Sequence, residues 1–519
     1  MLRDLETGEE RWLAYPVQHD DQESRATLDV LPGMSFTPDS RHLVASYGGR
    51  IWRLPVEGGD AQEIPFTVSF DLGLGPDVFF DYPVSDDPTF TVRQIRDAVP
   101  SPDGERLAFT ALDRLYVSDA DGGDARRIGP DDASVHFPTW SPDGNWIAFA
   151  TWEDDSGHLW RVRPGGGGLE RLTTQGGLYI TPAWSPDGRR IVALRGWARD
   201  YRTSTSPFGV GAAEEIVWVP ADGGDATLVA PSEDRADPHF RADEPDRIYF
   251  YQGGDTDALV SLRWDGTDPK KHLEVTGPTP AGADEPMDPD FLKIAPRGDQ
   301  ALVGINGQLY AVTVPLVGKT PRISVADPER AAFPAVRLTD PMGGEFPAWE
   351  ADGRTVHWSL GNAHFVYDLD AAEAFADSVE AAEAAEPAEE PAEEEPAEEE
   401  EPLGEPADEE DEEEEPSYEP TEIRIRIMAD RDIPAGVVAL TGGRVITMNG
   451  DEILDDGVVV VRDNRIEAVG PAGAVTVPDG AREIDVSGHT IVPGFVDTHA
   501  HMWPAWYVHR KDQWIYAAN

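Results

Sequence analysis

Two histidines one residue apart, His499 and His501, stand in the stretch 491–504, which reads IVPGFVDTHAHMWP. From Phe495 onward the residues alternate as those of a buried strand do, so Asp497, His499 and His501 project from one face and Val496, Thr498 and Ala500 from the other. Side chains at that spacing sit roughly 6.6 Å apart along a strand. Two imidazoles close such a gap onto one ion through metal–nitrogen bonds of about 2.0 to 2.1 Å. The pair is therefore half of a metal site. An isolated His-x-His is more often an exposed or hydrogen-bonded couple without an ion, so the elements around it have to decide.

Pro493-Gly494 breaks the chain just before the strand. Upstream stand short β-type runs at 443–448, 457–462, 465–469 and 483–486, separated by the turn signals Asn449-Gly450, Asp463-Asn464, Pro478-Asp479-Gly480 and Ser487-Gly488. This segment, 437–504, resembles the start of the metal-dependent amidohydrolase superfamily, in which a small β-sandwich wraps a (β/α) barrel whose first strand carries PGFVDTHAH. The resemblance implies that His499 and His501 are first-strand ligands of a divalent metal, zinc by preference, with one or two ions in a complete protein. It implies that Asp497 orients them from beside the site. The metal would lower the pKa of bound water and polarise a carbonyl, hydrolysing an amide-like C–N bond.

A barrel of this type needs about 250 residues, and only 492–519 follow the opening of its first strand. The family's later ligands and its aspartate general base have no positions here to be carried onto. The resemblance thus implies a C-terminally truncated chain, inactive alone. Trp503, Trp506 and Tyr507, followed by His509 and Trp514, form an aromatic loop that would lie at the catalytic face of a complete barrel and line its substrate pocket.

The first two thirds hold a repeated phrase. Its clearest copies are Pro102-Asp103-Gly104, Pro142-Asp143-Gly144 and Pro186-Asp187-Gly188, each preceded by Ser and followed by an apolar strand. Weaker copies begin near Thr37, Arg241, Ala295 and Glu350, seven copies in all. A period of about 40 to 55 residues with four short strands per unit is what a β-propeller blade requires. Proline fixes φ and Asp-Gly supplies the positive-φ corner of a tight hairpin. Trp140, Trp184 and Trp349 precede the phrase at matching positions and read as blade-to-blade packing. The repeats are similar to those of TolB-like propellers, a likeness that speaks to fold and not to function. The opening residues 2–13 match an outer hairpin and admit two readings, pairing with the last blade at 345–370 or a frame that begins inside a longer gene.

Two inserts, 71–96 and 197–213, exceed what a hairpin needs and carry Phe79, Phe80, Tyr82, Arg199 and Tyr201; recognition and packing on a neighbour are equally open readings. The scattered histidines 19, 42, 136, 158, 239, 272, 357 and 364 show no ligand spacing. No Gly-x-Ser-x-Gly elbow and no phosphate loop occurs, which excludes a propeller-type serine peptidase within these residues.

The chain has 519 residues, 99 acidic against 42 basic, for a formal charge of −57. An anionic membrane surface or a nucleic-acid backbone would repel it. Cysteine is absent, which removes disulfides and thiolate metal sites. No run has the apolar length of a membrane span, and the first residues lack the pattern of a signal peptide. The chain reads as soluble, while the TolB resemblance implies a periplasmic or secreted protein. Much of the negative charge lies in 371–422, a run of Ala, Glu, Asp and Pro whose repulsion and prolines predict an extended linker, with some helix over 371–386. After it, Ile423, Ile425 and Ile427 alternate strictly on one face of a strand that could join either neighbour.

The expected architecture is mainly β. It comprises a seven-bladed TolB-like propeller (1–370), an acidic linker (371–422), an amidohydrolase β-sandwich (423–490) and the start of a (β/α) barrel (491–519). The expected function is a metal-dependent hydrolase of C–N bonds acting on a small-molecule or peptide-like substrate that the propeller gates. The alternative is a non-catalytic binding propeller that carries an amidohydrolase remnant.

Overall fold

The computed structural model describes most of residues 2–17 and, beyond them, 34–48, 50–69, 85–153, 156–197, 213–315, 318–339, 341–383 and 417–494. The chain divides into two compact units, Met1–Ser85 and Asp86–Asn519. In the smaller, Leu2–Arg3 pairs with Glu10–Arg11, and a four-stranded sheet runs Ser35–Phe36, His42–Tyr47, Arg50–Pro55 and Gln62–Ile64. Its buried apolar residues, Ala45 and Leu54, make a thin core.

Among the described residues, the larger unit holds six ring sheets, each an antiparallel meander that begins with an inner strand. These inner strands are Arg96–Pro100, Ser134–Trp140, Leu178–Trp184, Arg235–His239, Phe291–Ile294 and Glu345–Trp349. The fourth sheet gains a parallel strand, Arg322–Ser324. Six of the seven copies of the phrase lie in these sheets, and the copy at Thr37 lies in the sheet of the other unit.

The phrase folds as its chemistry requires. Ser141 Oγ donates to Asp143 Oδ1 at 2.6 Å and accepts from the N–H of Trp146 at 2.9 Å, while Gly144 takes φ +68°. The third sheet repeats this with Ser185, Asp187 and Gly188 (φ +67°). The serine hydroxyl holds each aspartate below the usual carboxylate range. The turn after each inner strand is thereby fixed, and the strands that follow pack between sheets. Val135, Ile147 and Phe149 of the second sheet meet Ala108 and Leu115 of the first, and equivalent clusters join each later pair. The expected tryptophans do more than pack. The indole N–H groups of Trp140, Trp184 and Trp349 donate to the carbonyls of Val99, Thr139 and Lys293 on the preceding inner strand, each at 3.1 Å.

The sixth sheet meets the first, which closes the ring. The N–H of Ile95 donates to Gly361 O at 2.9 Å, and Asn362 Nδ2 to Val92 O at 3.2 Å. The outer strand of the sixth sheet is Thr421–Arg424, paired with Ala363–Asp368, so the position expected for the opening hairpin is filled from beyond the acidic tract. The segment then crosses to the first sheet. Ile425 and Ile427 are buried with Val92, Ile95, Leu107 and Phe109, and Met428–Asp430 pairs with Thr89–Thr91. The alternation of isoleucines thus serves both sides of the closure. Between the two parts lies the helix Leu369–Glu383, and residues 384–416 of the tract are outside the described residues.

Residues 437–491 form a separate small sheet. Val437–Ile446 pairs with Ile453–Arg462, which pairs with Arg465–Pro471, while Arg482–Asp485 and Thr490–Ile491 run parallel to Val437–Ile446. Ala439, Val458 and Val460 are its buried centre. The turns expected at Asn449-Gly450, Asp463-Asn464 and 478–480 separate these strands.

Candidate functional site at the inner strands

A left-handed backbone at a residue other than glycine costs of order 1–3 kcal/mol and collects at functional positions. Five inner strands carry one: Asp97 (φ 49°), Phe137 (54°), Thr181 (46°), Asp237 (51°) and Phe346 (54°). At each, the register with the next strand slips, the mark of a β-bulge, which re-aims a side chain. Inner strands of neighbouring sheets lie against one another. These bulges therefore re-aim side chains where neighbouring inner strands meet.

Charges of both signs meet there. Lys293 Nζ on the fifth sheet lies 4.0 Å from Asp237 Oδ2 on the fourth, with both side chains about a quarter exposed. Asp97 on the first sheet accepts from the N–H of Phe137 through Oδ2 at 3.4 Å. Its enclosure by protein pushes it up to about 6, opposed by Arg96, the Phe137 N–H and Lys293 and reinforced by Asp237. Asp97, Asp237 and Lys293 thus lie within Coulomb range of one another although they come from three sheets. Arg96 is engaged elsewhere, with Nε donating to Gln94 Oε1 at 3.2 Å and its guanidinium 5.4 Å from the centre of the Phe346 ring.

His239 closes one side as a structural tie. Its Nδ1 sits 2.7 Å from Asp237 O and its Nε2 accepts the N–H of Ile294 at 2.9 Å, so the proton resides on Nδ1. Burial pushes the ring down to about 4 and keeps it neutral. On the face of the Ser-Pro-Asp-Gly turns, a cleft of about 410 Å³ separates the second and third sheets. Its polar groups are already engaged, Asp143 by Ser141 and Asn145, and Arg161 by Glu170 and Ala221 O.

Asp497, His499, His501, Trp503, Trp506, Tyr507 and His509 fall outside the described residues, as do Phe79, Phe80, Tyr82, Arg199 and Tyr201 of the inserts. The small sheet that leads toward the metal motif is described through Gly494. Among the described residues no three His, Asp or Glu side chains are grouped to hold a metal, and no helix is long and apolar enough to cross a membrane.

The charges on the inner strands were missed by sequence reasoning, although a signal existed. Asp97, Phe137, Thr181, Asp237 and Phe346 each stand four residues before the first residue of a copy of the phrase, and in four of the five a proline follows. The packing positions of the repeat stay apolar while this one changes chemistry from sheet to sheet.

Comparison with known proteins agrees with this architecture. Residues 97–279 match the family model described as PD40, TolB beta propeller domain. An uncharacterised protein of Agrobacterium fabrum is 27% identical over 194 residues, covering 32% of this chain and 66% of that protein. Tricorn protease homolog 1 of Streptomyces coelicolor is 36% identical over 110 residues, 19% of this chain and 10% of that one. The 5-methylthioadenosine/S-adenosylhomocysteine deaminase of Symbiobacterium thermophilum is 40% identical over 65 residues, 12% of this chain and 15% of the enzyme. The chain therefore spans less than two thirds of the length of each of these relatives. It carries a TolB-like, PD40-type β-propeller.

Proposed function

We propose that these residues belong to a metal-dependent hydrolase of carbon–nitrogen bonds whose propeller, built of the six ring sheets as blades, admits or selects the substrate. The observation that carries this reading is the small sheet 437–491, which delivers the chain to Pro493-Gly494 immediately before Asp497-x-His499-x-His501. The 65-residue likeness to a deaminase supports it. In this reading His499 and His501 bind a divalent metal, zinc being suited to imidazole nitrogen. Asp497 orients them, and Trp503, Trp506 and Tyr507 line the substrate loop. The metal, when bound, supplies Lewis acidity and a water of lowered pKa. The remaining ligands and the general base would come from outside the described residues.

The division proposed keeps 1–370 and 491–519; Thr421–Asp430 is assigned to the ring because it pairs with both closing sheets, so the linker ends at 420 and the sandwich begins at 431. A second reading, a binding propeller without hydrolysis, is favoured by the charges of Asp97, Asp237 and Lys293 among the inner strands.

The test is equilibrium dialysis of a complete enzyme that carries the later ligands, against zinc with metal analysis, comparing the parent with the His499→Ala/His501→Ala double variant. Loss of bound zinc at an unchanged unfolding midpoint is expected. Equal zinc content in both proteins would remove the assignment and leave the binding reading.

A further inference from the structure

The seam between the sixth and first sheets differs from the others in the chemistry of its facing residues. Counted from the phrase, His357 stands where the first, second, third and fifth sheets carry Ala108, Ala148, Val192 and Leu302, each fully buried against the sheet that follows. Its neighbours Val356 and Trp358 pack with residues of the fifth sheet. His357 therefore lies on the opposite face, turned to the inner strand of the first sheet. Ser359 and His364, which pair across Thr355–Leu360 and Ala363–Asp368, share that face.

Three contacts join these groups into one chain. His357 Nε2 lies 2.8 Å from Glu350 Oε1, His357 Nδ1 lies 2.8 Å from His364 Nε2, and His364 Nδ1 lies 3.5 Å from Ser359 Oγ. Both imidazoles are buried, and Glu350 is partly exposed at the edge of the first sheet, where a Cβ added to Gly104 would stand 3.7 Å from its carboxylate oxygens. A carboxylate only accepts, so His357 donates from Nε2. Its Nδ1 then accepts from His364 Nε2, and His364 Nδ1 accepts from Ser359. One added proton makes His357 an imidazolium beside Glu350 and reverses the other two bonds, with none lost. A second proton, on His364, sets two N–H groups face to face across 2.8 Å.

Charged groups also stand on the elements packed here: Arg96 and Asp97 on the inner strand of the first sheet, Asp103 and Arg106 at its turn, Glu422 and Arg424 on the outer strand, and Asp352 near Glu350. Arg96 rests over Phe346 and Arg106 over Trp140, Glu422 pairs with Arg424, and Asp352 accepts from the N–H groups of Arg354 and Thr355. Among the described residues, the pair of His357 with Glu350 is the only ion pair either imidazole makes.

We infer that this seam is an acid-operated latch: the chain Glu350–His357–His364–Ser359 ties the sixth sheet to the first while it carries at most one added proton, and the ring opens at this seam when a second proton enters. Burial and the charge of His357 hold His364 down to about 3, against 6.5 for a free imidazole, so opening takes up a proton between those two values. The open seam is rarest above pH 6.5 and grows as the pH falls toward 3. The latch is independent of any metal site.

The experiment is amide hydrogen exchange of the full chain at pH 7 and pH 5, with rates corrected for the intrinsic effect of pH. The seam is reported by the N–H groups of Ile95 and Ile425, which donate to Gly361 O and Asn362 O. Ser185, whose N–H donates to Arg190 O in the histidine-free third sheet, is the control. Release of one imidazole to its ordinary pKa predicts exchange about 25-fold faster at pH 5 for Ile95 and Ile425, and less than about threefold faster for Ser185. His364→Gln keeps a donor toward His357 and cannot titrate, so it should bring the response of the seam down to that of Ser185. An equal response at all three amides, no response at the seam, or a His364→Gln variant that keeps the parent's response would overturn the inference. Imidazole nitrogen-15 shifts of the parent at pH 7 test the direction of the chain even if the variant folds poorly. Protons on Nε2 of both His357 and His364 are expected, and a neutral ring protonated on Nδ1 at either position would also overturn it. Zinc content at His499 and His501 plays no part in any of these outcomes.

Discussion

The closure of the ring gives the sharpest test of how the chain is held together. Ile425 is 1% exposed and packs with Val92, Ile95, Leu107 and Phe109 of the first sheet, while its own N–H donates to Asn362 O at 3.0 Å beside the sixth. Ile425→Ala removes three buried carbons, about 2.4 kcal/mol at roughly 0.8 kcal/mol each. The cavity left behind brings the expected cost to about 3–4 kcal/mol. A unit this large shifts by about 2 °C per kcal/mol, so the midpoint of thermal unfolding should fall by about 6–8 °C. Ile453→Ala, in the small sheet and 45% exposed, is the matched control and should stay within about 0.5 kcal/mol of the parent. Urea unfolding followed by tryptophan emission reads both. If Ile425→Ala unfolds with the parent's midpoint, Thr421–Asp430 does not hold the ring closed, and the closure has to reside in the contacts at Ile95 and Asn362.

Other outcomes follow from the same geometry. Trp184→Phe keeps a ring in a site 7% exposed but leaves Thr139 O without its donor, and should cost about 1–3 kcal/mol in urea unfolding; a loss below about 0.3 kcal/mol would show the indole bond to be incidental. Burial holds His364 down to about 3 and His272 and His239 down to about 4, so an unfolded chain binds protons on these rings below pH 6.5 that the folded chain refuses. Stability should therefore fall as the pH drops from 6.5 to 4, and a flat profile for the ring would contradict the burial of these imidazoles. Asp97 acts in the opposite sense. Its folded value of about 6 lies above the unfolded 3.8, so the ionised form costs up to about 3 kcal/mol above pH 6 and nothing at pH 3. Asp97→Asn, which tolerates the left-handed backbone, should be more stable than the parent at pH 8 and equal to it at pH 3.

The readable part of this chain was whatever repeats or alternates. Ser-Pro-Asp-Gly specifies a turn by covalent geometry and one local hydrogen bond, so its strands could be placed without knowledge of their neighbours. The turns of 437–491 were legible for the same reason. The path of Ile423, Ile425 and Ile427 was not. Period-two alternation reports that a face is buried and does not say against what. Here one segment, strand Thr421–Arg424 and the residues after it, serves two sheets, with Ile423 beside the sixth and Ile425 and Ile427 in the core of the first. The opening hairpin was offered the same edge, and local pattern could not rank the two candidates.

Long-range electrostatics fared worst. Nothing in the sequence near Asp97 points to Asp237 or Lys293, respectively 140 and 196 positions away, because the ring alone brings the three together. A repeat nonetheless constrains where such meetings can occur. Positions that build the blade must keep their apolar chemistry in every copy, so the position that varies at a fixed offset, and bends the backbone in five of the six ring sheets, is one that packing does not determine. In this chain the acidic copies of that position, Asp97 and Asp237, lie within electrostatic reach of Lys293. The departures from the repeat, more than the repeat itself, therefore mark the positions that packing leaves free to change.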